Sequence, residues 1–268
     1  MKFILEAFLK DFRIALSYKA QFAFSIISIF ITIFTFFLIS KLIDSGKSIH
    51  LEEYSSYMFF LIFGVISAEM SNIIITNPSK SIREMQLTGI FEELIASGRN
   101  ISEIIMSSFI YPTVWMILRV ILYLLVAIYI FNIGIQLEKL SYLSLFALLL
   151  FFISMVGVGL ISISSIISIK SGNYIGTLYL SLSALLGGIA YPTSVLPEHI
   201  KFMSDLLPTT HFLSIFRKDA METNLAFYEI SYHLIALIFL SLIFIFIGLC
   251  MLKISIRIAK KHGSLLYY

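Results

Sequence analysis

The sequence predicts an all-α polytopic membrane protein with six transmembrane helices, and three observations carry the prediction. Of 268 residues, 59% are hydrophobic and 13% charged, with a mean hydropathy of +0.97, far more apolar than a soluble domain. Six apolar runs approach or exceed the about 20 residues that a helix needs to cross a hydrocarbon core of about 30 Å. Of the ionisable residues, Glu69 and Arg119 fall well inside those runs, and the loops hold most of the rest.

The chain begins with a polar stripe, Lys2, Glu6, Lys10, Arg13 and Ser17, set opposite Leu5, Phe8, Leu9, Phe12 and Leu16. Over residues 1–19 this is the pattern of an amphipathic helix in the membrane interface, with a plain cytosolic lead-in as the alternative. The apolar run that follows is too long for a secretory signal and lacks a small-residue cleavage site. It supplies span one, residues 20–43. Span two is 54–76, ended by Asn77-Pro78 because proline disfavours helical geometry in the residue before it.

The loop 77–103 contains a short amphipathic stretch, Gln86 to Ser97. Leu87, Phe91, Leu94 and Ile95 share one face at helical spacing, while Glu92 and Glu93 point elsewhere, so a helix outside the bilayer is expected here. Its apolar face has no reason to be exposed unless a partner covers it. Spans three to five follow at 104–131, 142–169 and 174–191. The loop 192–230 is half apolar and broken by Pro192, Pro197 and Pro208 into helix-length pieces. That predicts a re-entrant helical hairpin buried against the bundle, with a plain exposed loop as the alternative. Span six is 231–252, and 253–268 is a basic tail.

Six spans put both termini on one side. With the termini inside, the inner segments carry Lys2, Lys10, Arg13, Lys19, Lys80, Arg83, Arg99, Lys170, Lys253, Arg257, Lys260 and Lys261. The outer ones carry half as many: Lys41, Lys47, Lys139, Lys201, Arg217 and Lys218. The bias toward the inner side places both termini and the 77–103 loop in the cytoplasm of a cell-membrane protein.

Catalytic chemistry is absent from the pattern. Gly46-Lys47-Ser48 resembles the end of a phosphate-binding loop, but Lys41 stands where the first glycine is required. His50, His199, His211, His233 and His262 show no ligand spacing, so no metal site is expected. No serine sits in a nucleophile elbow, and nothing supports nucleic-acid binding. Cys250 is the single cysteine, which excludes an intrachain disulfide.

Glu69 and Arg119 are either a structural pair or substrate-path residues, because intramembrane charges face a bundle interior or a wet cavity. Counted from the inner ends of their spans, they lie about 10 Å and about 22 Å deep, so a direct ion pair requires tilt. Gly157, Gly159, Gly172, Gly176, Gly187 and Gly188 read as points of close helix approach.

Two stretches resemble the ABC type-2 exporter permeases, the membrane subunits that work with a separate ATP-binding cassette. The family's Gly-Thr-Leu-Glu pattern after span two corresponds here to Gly89-Ile90-Phe91-Glu92, followed by Glu93-Leu94 and Ala96-Ser97-Gly98, with Ile90 in place of threonine. Its Phe-Pro, Leu-Pro and Pro-x-x-His elements correspond to Tyr191-Pro192, Leu196-Pro197 and Pro208-Thr209-Thr210-His211, with Arg217 downstream. The order of parts also agrees over nearly the whole chain. The resemblance implies a homodimer or heterodimer of permeases in the lipid membrane, bound to cassette ATPases that hold the ATP and Mg. Leu87, Gly89, Phe91, Glu92, Glu93, Leu94 and Ile95 would then form the coupling helix. Pro192, Pro197, Pro208, His211 and Arg217 would belong to an outer hairpin closing the pathway. The cargo implied is amphipathic and drug-, peptide- or lipid-like, since the basic N-terminal motif of polysaccharide exporters is missing. An energy-independent carrier or channel, or a membrane scaffold, is the alternative use of Glu69 and Arg119.

Overall fold

The computed structural model describes residues 2–45, 57–131, 141–169, 172–220 and 227–261. Gly46-Lys47-Ser48, Lys139, Lys170, His50 and His262 lie outside the described residues. The helices are α1 (Lys2–Ser17), α2 (Lys19–Ser45), α3 (Tyr57–Leu87), α4 (Ile90–Ala96), α5 (Ile101–Tyr129), α6 (Tyr142–Ile169), α7 (Tyr174–Leu186), α8 (Glu198–Asp205), α9 (Pro208–Ala220) and α10 (Phe227–Lys261). Among the described residues, α2, α3, α5, α6 and α10 are long and apolar enough to cross a membrane. α1 packs against α5 and α2.

α7 departs from the expected span 174–191. It has 13 residues, about 20 Å at 1.5 Å per residue, short of the about 30 Å of a hydrocarbon core. Gly187 closes it with an N–H···O bond to Ser183, and Gly188 turns the chain at φ +73°, which a residue with a Cβ adopts only at a cost. The chain then advances through a 3-10 turn at Thr193–Val195 and the short helices α8 and α9.

α3 does not stop at Asn77-Pro78. It runs through Pro78 to Leu87, 31 residues in all. Proline deletes the backbone bond to the Ile74 carbonyl, and that carbonyl faces Gly159 on α6, where a Cβ would lie 3.2 Å away. The missing side chain lets the two backbones approach there. One residue on, the Ser79 hydroxyl donates to the Ile75 carbonyl at 2.8 Å and lies 3.0 Å from the Ser162 hydroxyl, which in turn bonds Asn173, the N-cap of α7. Neighbouring hydroxyls thus support the loosened turn, as they do for prolines inside membrane helices.

α10 likewise passes the expected end at 252 and continues to Lys261, taking in part of the presumed tail. Leu252, Ser255 and Ala259 remain buried at helical spacing, and the Ser168 hydroxyl donates to that of Ser255 at 2.8 Å, so α6 holds the extension in place. α6 and α10 form the most extensive helix pair. A Cβ on Gly157 would fall 2.5 Å from the Phe244 carbonyl carbon, and one on Gly248 2.6 Å from the Gly157 carbonyl oxygen. Gly172 differs from the other grouped glycines: its nearest neighbour would be a Tyr174 ring atom 3.7 Å away, so close approach does not explain it. α3 occupies the centre of the bundle, packed by α2, α5, α6, α7 and α9.

Candidate functional site

Three features lie along α3: a corner at its C-terminal end, a polar cleft midway, and a latch at its N-terminal end. The corner begins where Gly89, at φ +75°, ends the reach of α3 and serves as N-cap of α4. Glu92 and Glu93 in the first turn favour the helix N-terminus electrostatically. Gly98 at φ +84° closes it, with Gly98 N–H bonded to Ile95 O and Arg99 N–H to Leu94 O. Asn100 then caps α5 by accepting from Ser102 N–H at 3.2 Å.

That break overturns the expected single apolar face. Leu87 belongs to α3 and Phe91 to α4, and the two point apart. Phe91 is 1% exposed and packs into the chain's own core, with Leu94 and Ile95 partly buried beside it. The apolar groups left outside are Leu87, 59% exposed, and Ile90, 47% exposed. Glu93 is exposed and Glu92 partly covered. Beside this corner, α1, α3 and α5 enclose a groove of about 490 Å³ whose walls include Lys10, Asp11, Lys80, Glu84, Tyr111 and Trp115.

The polar cleft holds the two intramembrane charges. Arg119 Nη2 lies 2.9 Å from Glu69 Oε1, a direct ion pair. The unequal depths expected from the sequence followed from ending α3 too early. With α3 running to Leu87 and α5 starting at Ile101, each charge stands eighteen residues, about 27 Å, from the α4 end of its own helix. Antiparallel packing then brings them level. Glu69 also borders a cavity of about 370 Å³, walled by Ser28 and Thr32 of α2, Tyr123 of α5 and Ser183 of α7. Sequence reasoning missed the α2 contribution, although Ser28 and Thr32 are four residues apart in α2 and so share a face.

The latch is built on Arg217, 3% exposed. Its guanidinium donates to Gly188 O at 2.7 Å, Phe60 O at 2.9 Å and Ile189 O at 3.2 Å, and lies 3.4 Å from the centre of the Phe60 ring. The Tyr57 hydroxyl donates to Ala190 O at 2.5 Å, and Gly64 leaves room for the Ile189 carbonyl, which any Cβ there would strike. Pro192 precedes the 3-10 turn, Pro197 precedes α8, and Pro208 is the first residue of α9, a position where the missing N–H costs nothing. Ser204 bonds the Leu186 carbonyl at 2.7 Å, Ser183 and Thr209 share a 2.7 Å bond, and the Phe151 and Phe212 rings stack at 4.4 Å. At the far end of α9, Asp219 accepts from Ser141 N–H at 2.8 Å and from the Ser144 hydroxyl at 2.6 Å, capping α6 from another helix.

His211 and His233, unrelated in the sequence pattern, meet here with their Nδ1 atoms 3.0 Å apart. His211 Nε2 is 2.8 Å from the Asp205 carbonyl, which can only accept, so Nε2 carries the proton and Nδ1 accepts from His233. Among the described residues no three metal-ligating side chains cluster.

No curated protein sequence matches the chain. Among protein families, the one described as ABC-2 type transporter matches residues 7–221, from within α1 to the end of α9.

Proposed function

The chain belongs to the ABC-2 type transporter family, and from that membership we propose that it is the membrane-spanning permease subunit of an exporter whose ATP and Mg are held by a separate cassette ATPase. The match over residues 7–221 is the observation that carries the reading, because it takes in the corner, the cleft and the latch together. In this reading α7 and the α8–α9 hairpin jointly make a sixth crossing. Both termini, with Lys253 and Arg257 on the last turns of α10, then face the cytoplasm in the cell membrane.

The corner at α4 is the docking surface for the cassette. Leu87 and Ile90 supply its apolar contact and Glu93 a carboxylate, while Phe91 fixes α4 to the bundle so that a push on the corner reaches α3. Two permeases, identical or different, enclose the pathway, and the latched hairpin closes its outer end. The cargo is amphipathic, in keeping with a cleft that joins hydroxyl groups to apolar walls.

The test is mass spectrometry on the gently solubilised, tagged protein from its own host. A stoichiometric ATPase with a phosphate-binding loop is expected to co-purify with the wild type. In Leu87→Glu/Ile90→Glu its recovery should fall about tenfold, a loss of about 1.4 kcal/mol, with the permease still inserted. No ATPase on an intact complex, or transport that proceeds without nucleotide, would overturn the reading in favour of a carrier. Unchanged recovery in the double variant would move the docking surface elsewhere. Phe91→Arg does not serve this purpose, since a charge at a 1% exposed position would unseat α4 itself.

A further inference from the structure

We infer that Glu69 is the recognition point for a positively charged group on the cargo, so that the cleft selects cationic amphiphiles; this rests on the permease reading above. Of the ion pair, only Glu69 borders the 370 Å³ cavity, and Arg119 reaches the carboxylate from α5 outside the lining. Among the described residues no lysine, arginine or histidine lines the cavity, and the one formal charge in that lining is negative.

The other polar groups of the lining, Ser28, Thr32, Ser71, Asn72, Tyr123 and Ser183, carry no formal charge. The Thr32 hydroxyl is bonded to the Ser28 carbonyl at 2.8 Å, and the Ser183 hydroxyl to Thr209 at 2.7 Å. Beside these neutral polar groups, Phe36, Val65, Leu180 and Ile189 give the same space an apolar wall. An ammonium head joined to a hydrocarbon or aromatic body matches this lining, whereas an anion would meet the carboxylate across a low-dielectric gap.

The carboxylate can serve both partners. Arg119 Nη2 contacts Oε1, and a carboxylate accepts about four hydrogen bonds, so a cargo cation can bind without displacing the arginine. The volume falls within the about 300–1,000 Å³ of ligand pockets.

The test uses two nearly isosteric ions of opposite charge, tetraphenylphosphonium and tetraphenylborate, with the full chain and its co-purifying subunits in nanodiscs and protein-free discs subtracted. The wild type is expected to bind the phosphonium at least tenfold more tightly than the borate. Glu69→Gln should abolish that preference, and so should Glu69→Gln/Arg119→Gln, which leaves no unpaired charge and guards against misfolding. Arg119→Gln should tighten phosphonium binding severalfold, because the arginine no longer shares the carboxylate. Equal binding of the two ions by the wild type, or a preference that survives Glu69→Gln, would overturn the proposal. A purely structural pair would shift both ions alike in all three variants. Cassette retention by the wild type is scored separately, so a failed permease reading is distinguishable from a failed cation site.

Discussion

Arg217→Met is expected to release the α8–α9 hairpin from the bundle while leaving the long helices inserted. The guanidinium donates to three carbonyls on two different segments and stacks on Phe60 while 3% exposed. Hydrogen bonds to a charged group contribute about 1.5–3 kcal/mol each, and although the three are not additive, a loss of at least about 3 kcal/mol is expected. Arg217→Lys should rescue little, since an ammonium cannot reproduce the planar fork that reaches Gly188 and Phe60 together. Hydrogen exchange would report fast exchange across α8 and α9 with α6 and α10 protected, and export in the proposed complex would fail with the cassette still bound. Wild-type protection in Arg217→Met would remove Arg217 from the role of latch.

Gly157→Val is expected to part α6 from α10. Its Cβ would meet three backbone atoms of Phe244 and Ile245 at 2.5–2.7 Å, and backbone cannot swing aside as a side-chain tip can. Over-packing costs about 1–3 kcal/mol where neighbours can adjust, so this pair, with Gly248 crowding the same crossing from α10, belongs at or above the upper end. The thermal midpoint in detergent should fall sharply for Gly157→Val and hardly move for Gly172→Ala, whose Cβ has open space to 3.7 Å. Equal effects at the two positions would mean that close helix approach is not what Gly157 supplies.

The contrast between those two glycines marks how far a sequence pattern reaches. Gly157 lies within an apolar run and Gly172 between two of them, yet both read as points of close helix approach, and only the neighbour across the gap tells them apart. Apolar length identified the long helices because the cost of a bare backbone in lipid is a local property of each run. The prolines at 192, 197 and 208 marked the breaks in the hairpin for a similarly local reason: each constrains its own backbone. Pro78 broke that rule, since its orphaned turn is supported by Ser79 and by Ser162 of α6, 83 residues further along the chain.

One misplaced helix end propagated. With α3 stopped at Asn77, Glu69 and Arg119 fell at different depths and the coupling stretch became one amphipathic helix. With α3 carried to Leu87, the charges pair at 2.9 Å and Phe91 turns inward. The meeting of His211 with His233, and the three carbonyls around Arg217, had no sequence signal at all, because each joins segments whose spacing is set by packing.

Composition and hydropathy alone determined that this is a helical membrane protein, and short motifs pointed to its family, because both depend on what each segment costs in lipid or how it turns. The tertiary structure decided which charges meet, which apolar groups remain outside at the α4 corner, and what holds the hairpin. Those depend on the register between helices, and register is set by side chains that touch across gaps no local pattern records.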